Sequence, residues 1–234
     1  MKKILTVSIA ACFIITVMVI TSAQQAHSAT LGIGASGWYT WWQPKPDTKT
    51  VEKDSSLMYG PQLLLQFAPQ WSVSSVFIFG EFEYKEESSS AMDITRYDSD
   101  TTLTYSINSY LRLFGGFKFM GFDYEMGNHY GYGPGFGVGL VIPTVENLYC
   151  AFNISGMYLW AEQEDDGNKM DYTEYGINSS VALVYMIPSS SVSLSIGGRY
   201  FYFQIEPDEI YNFYQKEKHH FYGITASAMY MISL

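Results

Sequence analysis

Glycine takes every second place from Gly131 to Gly139, and Tyr132, Pro134, Phe136, Val138, Leu140 and Ile142 take the places between and just beyond. A period of two puts all the bulky apolar groups on one side of an extended chain and leaves the other side bare. A helix would scatter the same residues around its circumference. Residues 130–142 therefore read as a β-strand with one wholly apolar face.

The same alternation recurs along the chain. Stretches at 30–43, 56–68, 71–85, 97–107, 110–124, 130–142, 148–163, 170–187, 191–206 and 218–234 each reach about the 9–11 residues that a tilted membrane strand requires. The first sets Leu31, Ile33, Ala35, Tyr39 and Trp41 against Gly32, Gly34, Ser36 and Thr40. The third sets Val76, Ile78, Phe82 and Tyr84 against Glu81 and Glu83, and the fifth sets Leu111, Leu113, Phe117 and Phe119 against Arg112 and Lys118. Breaks between stretches alternate between short (68–71, 108–109, 143–147, 188–190) and longer, more charged (44–55, 86–96, 125–129, 164–169, 207–217). Tight turns at one end, loops at the other and both termini on the turn side require an even number of strands.

The chain is 17% aromatic but only 15% charged. A soluble β-barrel or sandwich would show the same alternation with its apolar face turned inward. Aromatics crowd the strand ends, at Trp38 to Trp42, Trp71, Tyr149, Tyr158 with Trp160, and Tyr200 with Tyr202, which suits girdles at two membrane interfaces. An open sheet edge in hydrocarbon would leave backbone groups unpaired at several kcal/mol each, so the strands must close first to last. The expectation is an all-β protein, a closed antiparallel transmembrane β-barrel of about ten strands.

Met1, Lys2 and Lys3, the apolar run 4–20 and the small and polar residues up to Ala29 have the layout of a secretory signal. Cleavage after Ser28 or after Ala23 satisfies the small-residue rule; the first choice makes 1–28 a cleaved signal peptide and 29–234 the barrel domain. A lipoprotein reading of the Cys12 region is disfavoured because the apolar run continues past it. Removal of the signal leaves Cys150 alone, without a disulfide partner or a cysteine metal cluster. A net charge of −10, with the longest basic cluster at 216–220, argues against nucleic acid.

The closing segment Tyr222, Ile224, Ala226, Ala228, Tyr230, Ile232, Leu234 resembles the C-terminal signal of outer-membrane β-barrel proteins, the superfamily whose pattern the chain follows over 29–234. It departs from that pattern in ending on Leu234 where an aromatic is usual. The resemblance implies residence in the outer membrane of a Gram-negative type envelope as a multi-pass barrel. It also implies outer-membrane lipid, lipopolysaccharide and the barrel assembly machinery as partners.

With the apolar face on lipid, the lumen of a narrow barrel collects Glu81, Glu83, Arg112, Lys118, Glu174 and Arg199, and desolvated charges there need partners. The three glutamates are expected to pair with the three cations, which makes a plug rather than a pore. The glycine face of Gly131, Gly133, Gly135, Gly137 and Gly139 is expected to point inward and leave room for Phe114, Phe201 or the long basic side chains.

Asp98 and Asp100 share lumenal parity and superficially resemble an acidic pair of the omptin proteases. The resemblance ends there, since none of His129, His219 and His220 follows an aspartate by two residues. His129 and His219 are expected at the rim, where they could serve a lipid-modifying site only with a serine or acid partner. Asp165, Asp166 and Asn168 with Glu162 and Glu164 offer oxygen ligands for Ca²⁺, although an acidic turn accounts for them as well. Tyr211, Phe213 and Tyr214 could form an adhesive surface or pack on the girdle.

These readings lead to a non-enzymatic barrel without cofactor or metal, structural or surface-interactive at the cell surface. A porin-like channel for small solutes and a rim-active envelope enzyme are the two other classes.

Overall fold

The computed structural model describes residues 29–46, 51–85, 91–125, 127–165, 167–207 and 216–234. The expected signal segment, the tip residue Asp166 and the loop aromatics Tyr211, Phe213 and Tyr214 lie outside the described residues.

Ten antiparallel strands form a closed barrel in sequence order: β1 (Thr30–Pro46), β2 (Asp54–Ala68), β3 (Trp71–Tyr84), β4 (Met92–Ser106), β5 (Leu111–Tyr124), β6 (Gly127–Val145), β7 (Leu148–Asp165), β8 (Asn168–Met186), β9 (Val192–Pro207) and β10 (Glu217–Ser233). Closure runs through β1 and β10, paired from Thr30 with Ser233 to Pro46 with Glu217, and Leu234 N–H donates to the Ala29 carbonyl below the seam. With no open edge, the ladder satisfies the backbone without solvent.

Four tight turns lie at the end that carries both termini. The last two place Asn147 and Ser189 in the left-handed region, at φ 61° and 59°, and the turn at 107–110 is fixed by Asn108 Oδ1, which accepts from the amides of Tyr110 and Leu111. At the opposite, loop end three connections are long (47–53, 85–91 and 208–216), whereas β5 with β6 and β7 with β8 are joined by two residues each, 125–126 and 166–167, because those strands run on into the expected loops 125–129 and 164–169. This matches a barrel whose termini face the periplasm and whose loops face outward.

The outward face is a continuous apolar belt. Ile33, Leu57, Leu63, Phe117, Phe136, Ile154, Ile177, Ile196 and Ile224 are all exposed on it. Aromatic pairs mark its margins: Trp71 with Tyr105 at 4.7 Å near the turns, and Trp41 with Tyr222 at 5.8 Å and Tyr158 with Trp160 at 5.7 Å toward the loops. Trp38 and Trp42, expected in the girdle, are instead lumenal at 1% and 2% exposure. They share the parity of Thr40, one residue out of step with Tyr39 and Trp41.

Strand β3 reverses its expected faces. Ile78 and Phe82 are buried in the lumen with Gly80, Phe77 and Phe79 take the outward parity, and Glu81 and Glu83 are exposed on the outside near the loop end. Both faces of this strand carry apolar groups, so apolarity does not identify the lipid side. The deciding fact is that the loop half of the lumen is itself apolar, with Trp42 packed on Phe82 and Tyr84. Glu81 and Glu83 thus stand beyond the belt, where a carboxylate meets water, and do not join the lumenal charges.

Candidate functional site: the filled lumen

Three layers fill the barrel. The first, toward the loops, is aromatic. Trp42 of β1 stacks on Phe221 of β10 at 5.7 Å and reaches Phe122 of β5, across the barrel, at 6.2 Å. Phe122 in turn lies 6.3 Å from Phe203 of β9, which stacks on His219 at 4.7 Å and on Phe221 at 6.0 Å. These rings are tightly packed: Phe203 and Phe221 are fully buried and Trp42, Phe82 and Phe122 are at most 7% exposed. Ring pairs of this kind contribute about 0.5–1.5 kcal/mol each beyond the area they bury.

His219 belongs to this layer and not to a rim. The Trp42 indole N–H donates to His219 Nδ1 at 3.1 Å, which assigns the ring proton of a neutral His219 to Nε2. Glu217 Oε1 is 3.7 Å from that Nε2.

The second layer is ionic and sits at mid-barrel. Arg96, Asp98 and Asp100 project from alternate positions of β4, Lys118 from β5 and Arg199 from β9. Asp98 Oδ2 accepts from Arg96 Nη2 at 3.1 Å and lies 4.0 Å from Arg199 Nη2, while Asp98 Oδ1 accepts from Lys118 Nζ at 2.8 Å. Asp100 takes a second contact from Lys118 at 3.4 Å and one from the Thr102 hydroxyl at 3.3 Å. A single carboxylate thus organises three cations.

Two nitrogens of Arg96, Nε and Nη1, have no hydrogen-bond acceptor among the described residues. The guanidinium instead lies 3.6 Å from the centre of the Phe221 ring and between 5.4 and 5.8 Å from Phe122, Phe201 and Phe203. Arginine tolerates this better than lysine, since its flat, weakly hydrated head stacks on ring faces. Arg199 does the same with Trp38 at 4.5 Å while donating to Asn178 Oδ1 at 3.0 Å. The aromatic and ionic layers are therefore one structure.

Glu174 completes the second layer from β8. It is fully buried, and its partner is His129, with Oε1 and Nε2 2.6 Å apart. Its other oxygen would be only 2.6 Å from a Cβ on Gly131, so that glycine makes the space for the carboxylate. The glycine face of β6 does point inward, and Gly139 and Gly137 similarly receive Asn153 and the Phe114 ring. At Gly133 the restriction is the β7 backbone at Tyr158 and Leu159.

The third layer is a cavity of about 260 Å³ toward the turns, lined by Thr104, Asn153, Asn178 and Ser180 and capped by Asp100, Lys118 and Phe201. Arg112 has lumenal parity near the same end and is exposed.

Among the expected lumenal charges, then, Lys118 and Arg199 converge on Asp98 at mid-barrel, Glu174 is buried against His129, Arg112 stands apart near the turns, and Glu81 and Glu83 are outside. The expected pairing is replaced by Asp98 and Asp100 with the cations and by Glu174 with a histidine. Arg96, which joins the ionic layer to the aromatic one, was expected in the loop 86–96. Strand β4 begins at Met92 because it pairs with β3 as far as Tyr84, beyond the apolar belt. The inward alternation of Arg96, Asp98 and Asp100 is its sequence signal. His129 is buried because β6 likewise begins at Gly127.

The acidic turn after β7 is tied internally. Asp165 accepts from the Tyr124 hydroxyl and from Gln163, both at 2.6 Å, and Glu162 pairs with Lys169 at 2.6 Å. No metal-binding cluster of three or more acidic, histidine or cysteine groups exists among the described residues.

No protein-family model and no curated protein sequence matches the chain. Solved structures do. The outer membrane protease OmpT from Escherichia coli is 9% identical, with a TM-score of 0.50 over 90% of this chain and 100% of its own. Neisserial surface protein A is 11% identical, with a TM-score of 0.40 over 87% of this chain and 99% of its own. The toluene transporter TbuX of Ralstonia pickettii is 8% identical, with a TM-score of 0.38 over 91% of each chain. At such identities the likeness is one of fold and transfers no activity. Together with the closed ten-strand topology and the apolar belt, the likeness to OmpT shows that the chain has the fold of an outer-membrane β-barrel.

Proposed function

We propose that this protein is a sealed, non-enzymatic outer-membrane barrel, a structural element of the envelope that carries its loops at the cell surface. The observation that supports it is the junction of the aromatic and ionic layers. Strands on opposite walls meet through Trp42, Phe122, Phe203, Phe221 and Arg96, all nearly or fully buried. The buried lumenal carboxylates are held in place, Asp98 by Arg96 and Lys118 and Glu174 by His129. Insertion by the barrel assembly machinery, through the closing segment of β10, and contact with lipopolysaccharide belong to the same proposal.

Reconstituted liposomes test it through osmotic swelling in small sugars and amino acids. A sealed barrel gives the swelling rate of protein-free liposomes. Solute-dependent swelling would make the chain a channel and overturn the proposal.

A further inference from the structure

The outward face of the seam between β1 and β10 changes character along its length. From the loop end, cross-strand neighbours are Lys45 with Lys218, Gln43 with His220, Trp41 with Tyr222 and Tyr39 with Ile224. All have the parity opposite to lumenal Trp42 and Phe221. Two ammonium groups directly across an antiparallel pair repel each other. His220 lies in the field of both. A third cation joins from the segment before β2: Lys53 Nζ stands 4.6 Å over the Tyr222 ring and 5.6 Å over Trp41.

Among the described residues, Lys45, Lys53 and Lys218 form no ion pair, while nearby acids are engaged. Glu52 holds Lys85, Glu206 holds Lys216, and Asp54 accepts from the Glu83 amide. In a chain of net charge −10, three lysines that form no ion pair among the described residues on one outward face run against the overall balance.

A groove in the belt begins directly below these charges. It follows two cross-strand rows, Tyr222, Tyr200, Ser179 and Ile154 in one and Ile224, Gly198, Val181 and Phe152 in the other. Tyr222 and Ile224 lie toward the loop ends of their strands and Phe152 and Ile154 toward the turns, so the groove descends into the membrane. Its floor is low because Ser179 and Gly198 face outward. A Cβ at Gly198 would meet nothing closer than 3.9 Å.

We propose that this seam binds a phosphate-bearing membrane lipid. The headgroup phosphate sits among Lys45, Lys53 and Lys218, the Trp41 and Tyr222 rings lie at the interface, and an acyl chain occupies the groove over Ser179 and Gly198. Charge complementarity selects the anion, and the descending apolar groove selects a lipid over free phosphate. The proposal rests on membrane placement of the barrel and is independent of whether the lumen is sealed.

Native mass spectrometry of the full chain released from neutral detergent tests it, with phosphatidic acid, phosphatidylcholine of the same chains, and inorganic phosphate as probes. The wild-type protein is expected to retain phosphatidic acid over phosphatidylcholine by about tenfold or more, with a loss of roughly fivefold for each lysine removed in Lys45→Gln and Lys218→Gln. Lys169→Gln, which removes a cation elsewhere, keeps the preference. Gly198→Leu fills the groove without altering charge and lowers retention of phosphatidic acid. Equal retention of the two lipids, a preference unmoved by the seam lysines, or inorganic phosphate binding with Gly198→Leu inert would each overturn the proposal. So would a lipid-independent dimer lost on Gly198→Leu, which would make the groove a contact between copies.

Discussion

Lys118 stands opposite Asp100 in the β4–β5 register, yet its shorter contact is one step along the lumen, 2.8 Å to Asp98 Oδ1 against 3.4 Å to Asp100 Oδ2. The displacement brings Lys118 to the carboxylate that already holds Arg96. Because Asp98 is 2% exposed, its charge is compensated by the network and not by water. Replacing one member of a buried network leaves the others desolvated and unpaired, a larger loss than the pair itself is worth.

Asp98→Asn is therefore expected to leave Arg96, Lys118 and Arg199 in mutual repulsion and to cost about 3–5 kcal/mol. Urea refolding in detergent micelles, followed by heat-modifiable migration on gels, measures it. An unfolding midpoint equal to wild type would contradict the ionic hub.

Glu81→Gln and Glu83→Gln are expected to change stability by no more than about 0.5 kcal/mol, since exposed groups outside the lumen have little to lose. The same refolding assay applies. A loss comparable to that of Asp98→Asn would return them to the lumen.

The β6 glycines are expected to differ in tolerance. At Gly133 a Cβ meets the Tyr158 carbonyl and Leu159 Cα, which belong to the neighbouring strand and cannot swing away; at Gly135 it meets only the Gly156 carbonyl at 3.5 Å. Gly133→Ala should cost about 1–3 kcal/mol, the range for overpacking, and Gly135→Ala well under that. Equal costs would show that the glycines answer to composition and not to strand contact.

His129→Ala should lose the 2.6 Å contact and strand the fully buried Glu174 carboxylate, whereas Glu174→Gln with His129 intact keeps a hydrogen bond available. The expected order of stability is wild type, then Glu174→Gln, then His129→Ala. Thermal loss of the folded gel band reads the order, and a reversal would mean that Glu174 has another partner.

Much of this architecture is legible in the sequence because alternation, turn spacing and closure are local or nearest-neighbour properties. Ten strands and the inward glycine face of β6 follow from them. What alternation does not reveal is which face is inside when both are apolar. Val73, Phe77 and Phe79 compete with Ile78 and Phe82, and only packing across the lumen on Trp42 decides. The strand ends hide Arg96 and His129 for a related reason. Barrel strands outrun the apolar belt, so polar residues at their ends look like loops until their ladder partners are known. The partners of Lys118 and Arg199 lie on other strands, at distances set by barrel closure and not by sequence spacing.

Single-channel recording in planar bilayers tests the sealed lumen most directly, comparing the wild-type barrel with a Trp42→Ala/Phe122→Ala/Phe221→Ala variant that still shows heat-modifiable migration. The wild type is expected to be silent and the variant to pass discrete currents, because those three rings bridge opposite walls. Regular conductance steps from the wild type, unchanged in the variant, would contradict the account.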